Sequence, residues 1–240
     1  CKNELIIKNL LFIHGLLKMR HILCFFFLSL WLTNSMAAVV VGGTRVIYNG
    51  EKKETSISVT NSGENRPYLI QSFINSNIKG EKPPFIVTPP LFRLDAEKEN
   101  TLRITRTGGH LSTDRESVFY LNVKSIPSVN ESEQNTLVIA VKTRIKLFYR
   151  PEGIKGNAEE AYKSLIFSQR GNQLAINNPS NYYVTIGQLK VAGKVIPNVD
   201  MIAPKETMYY LLPSRQPGLI SWNSINSYGG ISAEITKDLL

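Results

Sequence analysis

Residues 143–151, TRIKLFYRP, decide the class of fold. Apolar side chains recur there at every second position, as in a β-strand with one buried face: Ile145, Leu147 and Tyr149. The stretch also carries three cations, Arg144, Lys146 and Arg150, and it ends on Pro151, which cannot donate a hydrogen bond to a continuing strand. The question that this strand raises is what its cations bind.

The apolar run begins earlier, at residue 136. Leu137, Ile139 and Val141 alternate along it, and the two residues between them are apolar as well. A strand that is apolar on both faces is either a fully buried central strand or an edge strand that pairs with something else. The residues alone leave both interpretations open.

Similar short runs, rich in β-branched and aromatic residues and bounded by Gly, Pro, Asn or Asp, recur along the whole chain. We expect strands in the following ranges: 44–50, 55–63, 68–74, 85–94, 100–108, 117–126, 136–151, 165–180, 182–193, 207–214, 218–230 and 231–236. This spacing of strands and turns is typical of antiparallel sandwiches. The sequence therefore predicts an all-β protein, with one brief helical candidate at residues 157–165.

The polar, glycine-rich stretch after Pro151 predicts a domain boundary. Residues 20–37 have the form of a secretory signal peptide, with a basic start, an apolar run of about 11 residues and a small-residue end. We expect Met19 to be the initiator and cleavage to follow Ala37, and residues 1–18 have no evident role. The predicted domains are then 38–151 and 152–240.

Composition limits the chemistry of the exported part. Both cysteines, Cys1 and Cys24, precede the predicted cleavage site, so disulfides and thiol catalysis are excluded for residues 38–240. Residues 1–37 hold four of the 28 basic and one of the 19 acidic residues, which leaves a formal net charge of +6 after cleavage. A mild positive charge favours an acidic partner, and no basic run of the kind that binds nucleic acid is present.

Catalytic signals are weak. His110 is the only histidine after the predicted cleavage site, and it lies in a loop-like Thr-Gly-Gly-His context. We expect no metal site and no enzymatic activity, because no motif for a nucleophile or a phosphate loop is present. Asp114 and Glu116 are the closest approach to a catalytic acid pair, but Arg115 between them favours a salt-bridged strand end.

Six segments give the chain a resemblance to a known family: TRVIY (44–48), TPPLFRL (88–94), DRESVFYLNVKSIP (114–127), KTRIKLFYRP (142–151), NPSNYYVT (178–185) and INSYGG (225–230). In this order and spacing they resemble the PapD-like periplasmic chaperones of pilus assembly. The resemblance implies two immunoglobulin-like β-sandwich domains in an L shape, no cofactor, and pilus subunits and an outer-membrane usher as partners. The short connection at 127–135 resembles the short-loop subclass.

The resemblance also implies roles for particular residues. Arg45 and Lys146 would bind the C-terminal carboxylate of a subunit, as charge-assisted donors can. Three apolar side chains would fill the groove of a subunit that lacks its last strand: Leu137, Ile139 and Val141. Strict alternation puts Lys146 on the opposite face from these three, unless a bulge near residues 142–144 changes the facing.

Glu116 and Arg150 match an interdomain ion pair of the family. The family usually has an aspartate at the position of Ser227, so the expected network lacks one acid. The alternative function is that of a secreted β-sandwich hydrolase or carbohydrate-binding module, for which three aromatic residues would form the platform: Tyr182, Tyr183 and Trp222. Whether the free protein associates with itself is not decided by the sequence.

Overall fold

The computed structural model of the chain describes residues 39–63, 66–78, 80–128, 137–212 and 218–239. The predicted signal peptide lies outside them. The described residues form seventeen strands: β1 Val39–Val41, β2 Arg45–Asn49, β3 Glu54–Asn61, β4 Tyr68–Ser76, β5 Phe85–Thr88, β6 Leu91–Leu94, β7 Glu99–Arg106, β8 Ser117–Pro127, β9 Val141–Arg150, β10 Ile166–Arg170, β11 Gln173–Asn177, β12 Val184–Val191, β13 Lys194–Val195, β14 Met201–Ile202, β15 Thr207–Leu211, β16 Leu219–Ser224 and β17 Ile235–Asp238. The all-β prediction is confirmed.

The strands before Pro151 form two sheets that face each other. One has the order β1-β3-β7-β5 and the other β2-β9-β8-β4-β6. Their inner faces enclose one apolar core, which includes Val59, Ile70, Leu102 and Leu147, all fully buried. Because side chains alternate along a strand, the odd-numbered residues of β9 point into this core and the even-numbered ones point away from it.

The strands after Pro151 form a second sandwich with its own core. Its sheets have the orders β10-β11-β15 and β13-β12-β16-β17, with β14 pairing β12. Leu174, Ile202 and Trp222 are buried at its centre, and the indole Nε1 of Trp222 donates to the carbonyl of Tyr162 at 2.9 Å. The chain thus has two immunoglobulin-like sandwich domains, while their boundary after residue 151 stays a prediction.

The first strand of the chain changes sheets within a few residues. β1 belongs to one sheet and β2 to the other, and the change occurs at Gly42 and Gly43. A side chain on Gly42 would collide with Ser58 Oγ, so the serine hydroxyl would have to turn away to accommodate it. The change brings β2 alongside β9 in a parallel ladder that pairs Arg45 with Lys146.

Several details differ from the sequence prediction. The run 85–94 is two strands in different sheets, separated by Pro89 and Pro90, because proline cannot complete a ladder. The run 165–180 is also two strands, β10 and β11, which form a hairpin that turns at residues 171–172. The helical candidate at 157–165 forms only one 3-10 turn, Ala161–Ser164. The strand expected to begin at residue 136 begins at Val141.

A buried asparagine organises a turn in each domain. Nδ2 of Asn61 donates to the carbonyls of Arg66, Leu94 and Asp95, at 3.0–3.3 Å. In the second domain, Nδ2 of Asn178 donates to three carbonyls in the same way, at 2.8–3.1 Å: those of Tyr182, Ile202 and Ala203. Both asparagine side chains are fully buried, so these bonds satisfy amide groups that water cannot reach. The Asn178 turn leads directly to Tyr183, which contacts the candidate site.

Candidate functional site

Arg45 and Lys146 lie side by side at the point where β2 begins. Their Cα atoms are register partners in the parallel ladder, so both side chains leave the same face of the sheet, away from the core. The guanidinium of Arg45 donates from Nη1 to the carbonyl of Ile225 at 2.9 Å and lies 5.7 Å from the ring centre of Phe148. Two cations on adjacent strands repel each other, which indicates that this position binds an anion.

Burial shapes the electrostatics of Arg45. Its Nε is buried and has no hydrogen-bond partner within the part of the chain that the structure describes. Desolvation lowers the pKa of the guanidinium, and the charges of Glu159 and Glu116 oppose that shift. A hydrogen-bond acceptor that reaches this unused Nε donor would therefore stabilise the charged guanidinium.

Lys146 has an acidic partner from the second domain. Its Nζ lies 2.6 Å from Oδ1 of Asp200. The lysine side chain is 21% exposed and that of Asp200 is 75% exposed, so the pair lies at the edge of the site and in contact with solvent. The ammonium therefore has an anionic partner even when nothing else is bound.

Glu116 and Arg150, both in the first domain, form an ion pair that is hydrogen-bonded to Tyr183 and Ser227 of the second domain. Nε of Arg150 donates to Oε1 of Glu116 at 2.9 Å, and its Nη2 donates to Oγ of Ser227 at 3.2 Å. The backbone N–H of Tyr183 donates to the other carboxylate oxygen at 2.9 Å. Burial raises the pKa of Glu116, while Arg150, the Tyr183 N–H and Arg45 oppose that shift.

Ser227 therefore contributes a neutral hydrogen bond at the position where an acid was expected. Its backbone N–H donates to Oε1 of Glu159 at 3.3 Å. Glu159 also exerts the largest favourable charge effect on Arg45. An acid is thus present beside these cations, although it comes from a different segment of the chain.

A small cavity of about 30 Å³ lies among these groups. Its lining includes Arg45, Glu116, Arg150, Thr185 and Ser227. The hydroxyl of Thr185 is buried and, like Arg45 Nε, has no hydrogen-bond partner among the described residues. The polar groups of the site are thus not all satisfied by the chain itself.

The three predicted groove-filling side chains are exposed. Leu137 is 82% exposed, Ile139 66% and Val141 57%. Residues 137–140 belong to no strand, so only Val141 lies in β9, in contrast to the strand expected from residue 136. Large apolar side chains exposed in succession are unusual on a soluble surface and indicate a binding segment.

The pairing of β9 with β8 determines which face of the strand carries Lys146. β9 pairs with β8 in one unbroken register from Val141↔Ser125 to Tyr149↔Ser117, without a bulge. Lys146 therefore points away from the core, while Val141 has the parity of the core-facing residues. Lys146 and Val141 therefore lie on opposite faces of β9.

One edge of β9 is open over part of its length. β2 pairs only with Lys146–Arg150, and no strand of the described part of the chain pairs with residues 141–145 on that side. Unpaired backbone groups on an edge are a template for an additional strand. The open edge ends at Arg45 and Lys146.

The features that would favour an enzyme or a carbohydrate-binding module do not form a site. Tyr182 and Trp222 are buried in the second core, so they form no exposed platform. Asp114 pairs with Arg115 at 3.0 Å on the surface, while Glu116 is bonded to Arg150. Within the described residues, no group of His, Cys, Asp and Glu has the arrangement of a metal site.

Sequence reasoning missed several partners in the site: Asp200, Glu159, the carbonyl of Ile225 and the N–H of Tyr183. They come from loops and strand ends of the second domain, and their contacts depend on how the domains meet. The carbonyl of Ile225 and the N–H of Tyr183 are backbone groups, and the amino-acid type at a position does not predict what its backbone contacts. The sequence analysis had singled out two of the segments that supply them, NPSNYYVT at 178–185 and INSYGG at 225–230, but none of these contacts.

Comparison with known families identifies the class of protein. The model for the N-terminal domain of the PapD pili and flagellar-assembly chaperones matches residues 38–155, and the model for the C-terminal domain of PapD pili assembly chaperones matches residues 160–236. The chain belongs to the PapD family of pilus-assembly chaperones. No helix in the described residues has the length and hydrophobicity needed to span a membrane.

Individual relatives agree with this assignment. The probable fimbrial chaperone LpfB of Escherichia coli O157:H7 is 44% identical over 218 residues, which are 88% of this chain and 94% of the relative. The chaperone FimC of Escherichia coli K12 is 40% identical over 203 residues, 83% of this chain and 84% of the relative.

Solved structures have the same fold. The SafB chaperone of Salmonella enterica, in complex with the SafA pilin, superposes with a TM-score of 0.77 at 33% identity, over 86% of this chain and 99% of the other. The Escherichia coli chaperone DraB has a TM-score of 0.75 at 36% identity, over 84% and 96%.

Proposed function

We propose that this protein binds pilus subunits in the periplasm, completes their fold with residues 137–145, and delivers them to an outer-membrane usher. The observation that carries the proposal is the open edge of β9, which ends at the cation pair Arg45 and Lys146. Family membership and the SafB–SafA complex support the same function.

The geometry explains why a chain terminus would bind here. A strand added to the open edge beside residues 141–145 meets the start of β2 at Arg45 and cannot continue. Its end must therefore lie beside Lys146. If that end is the C-terminus, its carboxylate lies beside two cations, and the added strand runs parallel to β9. We call Arg45 and Lys146 the carboxylate anchor.

The exposed apolar side chains supply the second part of the interaction. Leu137, Ile139 and Val141 have the spacing of alternate strand positions, so they can enter successive pockets of an open groove once residues 137–140 extend β9. Backbone hydrogen bonds then provide affinity, and the side chains provide selectivity. Burying these apolar groups also protects the subunit from aggregation.

Binding and release in this scheme need no cofactor, nucleotide or catalysis. Release would follow replacement of residues 137–141 by a better-fitting strand of another subunit at the usher. The short-loop subclass remains a prediction, because residues 129–136 lie outside the described part of the chain. No observation favours the carbohydrate-binding or hydrolase alternative.

The test is co-purification with a candidate subunit. Tagged wild type, Lys146→Ala and Lys190→Ala are each expressed in a periplasm with pilus subunits of the same bacterium. Lys190 is a matched control, since it also lies on a strand and pairs with an acid, Glu234, at 3.5 Å. We expect wild type and Lys190→Ala to retain one subunit each, and Lys146→Ala to lose most of it because the carboxylate loses a cation.

Two other outcomes have definite meanings. If Lys146→Ala retains as much subunit as wild type, the carboxylate anchor is wrong although a chaperone role stands. If wild type retains none of the subunits, the proposed function is wrong for that pilus system.

A further inference from the structure

The carboxylate anchor of the free protein is already in contact with a carboxylate of its own chain. Asp200 Oδ1 lies 2.6 Å from Lys146 Nζ, the distance of a direct charge-assisted hydrogen bond. Arg45 differs, because its Nη1 contacts the neutral carbonyl of Ile225. An incoming carboxylate thus meets one cation with a neutral partner and one with an anionic partner.

The position of Asp200 is fixed by the second domain. Its carbonyl accepts a hydrogen bond from the N–H of Ile186 at 2.9 Å, and the next residue, Met201, pairs with Thr185 in the β12–β14 ladder. The backbone of Asp200 is therefore held by a sheet, and its carboxylate does not reach Lys146 from a free loop. The side chain itself remains 75% exposed, so it can leave the lysine without exposing apolar surface.

We propose that Asp200 is a specificity-determining residue that competes with the subunit's C-terminal carboxylate for Lys146. The inference rests on the proposed function and adds a residue of the second domain to it. When a subunit binds, the ammonium either exchanges Asp200 for the new carboxylate or contacts both. In the first case the Asp200 ion pair is lost, and in the second two carboxylates repel each other. Both cases lower the affinity for a terminal carboxylate.

The competition has two consequences for subunit handling. The partly buried Lys146 ammonium keeps an anionic partner in the empty chaperone, so it is not left unpaired between cycles. A bound subunit is also easier to release, because Asp200 can take its place on Lys146. A neutral chain end does not compete with Asp200 for the ammonium, so Asp200 leaves its binding unchanged and narrows the preference of the site for a charged terminus.

The experiment compares wild type with Asp200→Asn. The probe is a synthetic peptide with the C-terminal strand sequence of the subunit that co-purifies with wild type, made with a free carboxylate and with a C-terminal amide. Dissociation constants are measured by calorimetry. We expect Asp200→Asn to bind the free-acid peptide about two- to fivefold more tightly than wild type, the range that a largely exposed ion pair allows, and the amide peptide equally.

Three controls isolate the effect. Glu234→Gln removes the same charge from a lysine–acid pair within the second domain, Lys190–Glu234, and is expected to bind both peptides as wild type does. In a Lys146→Ala background, Asp200→Asn is expected to give no gain, since the competition requires the lysine. Asp200→Ser is a second variant at this exposed position in case the asparagine variant folds poorly.

The outcomes separate the inference from the proposed function. If wild type prefers the free acid but Asp200→Asn and Asp200→Ser bind it no more tightly, the competition is wrong and the carboxylate anchor stands. If wild type does not distinguish the two peptides, the anchor and the inference both fall.

Discussion

The environment of the buried Glu116 carboxylate has two opposing effects on its pKa. Its side chain is only 3% exposed, which favours the neutral form, while Arg150 and the N–H of Tyr183 favour the charged form. The net effect is a pKa above the ordinary value of 4.5, with burial as the largest cause. The residue therefore makes stability depend on pH.

The first prediction concerns this dependence. Because the pKa of Glu116 is higher in the folded than in the unfolded protein, the folded protein binds a proton more readily. Its contribution to stability is complete below pH 4.5 and falls as the pH rises through the folded pKa. We expect the unfolding free energy of wild type, relative to that of Glu116→Gln, to decrease between pH 4.5 and the folded pKa.

Urea unfolding of both proteins at several pH values between 4.5 and 7.5 measures this difference. The other titrating groups are common to both proteins, so their contributions cancel in the comparison. A difference that grows with pH would mean that the ion pair with Arg150 outweighs burial.

At the scale of elements, β9 is the strand on which folding and binding meet. Its second half is paired on both sides, by β8 and β2, and among the described residues its first half is paired on one side only, by β8. Its odd-numbered residues from Ile145 to Tyr149 lie in the core, while Val141 and the segment before it are exposed. One strand thus has a structural half and a half available to a partner.

The second prediction separates these halves. Replacing Leu137, Ile139 and Val141 together by serine is expected to abolish subunit retention in the periplasmic co-purification. The unfolding free energy is expected to change by no more than about 0.5 kcal/mol, as is usual for exposed positions. The physical reason is that these side chains are exposed in the free protein and become buried only against a subunit.

Leu211→Ser is the matched control, since Leu211 is 69% exposed on a strand of the second domain. It is expected to leave both stability and retention unchanged. Subunit retention by the triple variant at the wild-type level would show that the apolar segment does not contact the subunit.

At the scale of the whole molecule, polar contacts connect the two domains around one site. Arg45, Lys146 and Arg150 of the first domain contact, respectively, the carbonyl of Ile225 and the side chains of Asp200 and Ser227. Since every one of these contacts includes a cation of β2 or β9, the site that would bind a subunit is also part of the interdomain contact.

The third prediction tests the Glu116–Arg150 ion pair of the first domain, which is hydrogen-bonded to Tyr183 and Ser227 of the second. Arg150→Ala leaves Glu116 buried with the Tyr183 N–H and without its ion-pair partner. Removing one member of a buried ion pair costs about 3 kcal/mol, and we expect a loss of this size in the unfolding free energy at pH 7. Arg115→Ala removes the exposed partner of Asp114 and is expected to change stability little, because solvent screens that pair.

Denaturant unfolding of the two variants provides the comparison. Equal, small effects would show that the Glu116–Arg150 pair contributes no more than a surface pair. Its position between the domains would then have no energetic consequence.

Much of the fold could be predicted from local patterns. Alternation in residues 143–149 determines which side chains of β9 enter the core, because side chains of a strand point to alternate faces. The proline after Arg150 ends β9. The Thr-Pro-Pro sequence at 88–90 likewise marks the break between β5 and β6, but the apolar residues on both sides of it predict one continuous strand. The resemblance to the PapD-like chaperones predicted which cations and which apolar residues belong to the site.

By itself, the sequence determined that this protein is all-β, that β9 alternates cations with core residues, and that a run of apolar residues precedes it. Those properties follow from residues next to each other in the chain. Only the tertiary structure decided that Arg45 is the register partner of Lys146, that the edge of β9 is open up to this pair, and that Asp200 contacts the lysine. Pairing, edges and contacts between domains join residues far apart in the chain, so the chain must fold before they exist.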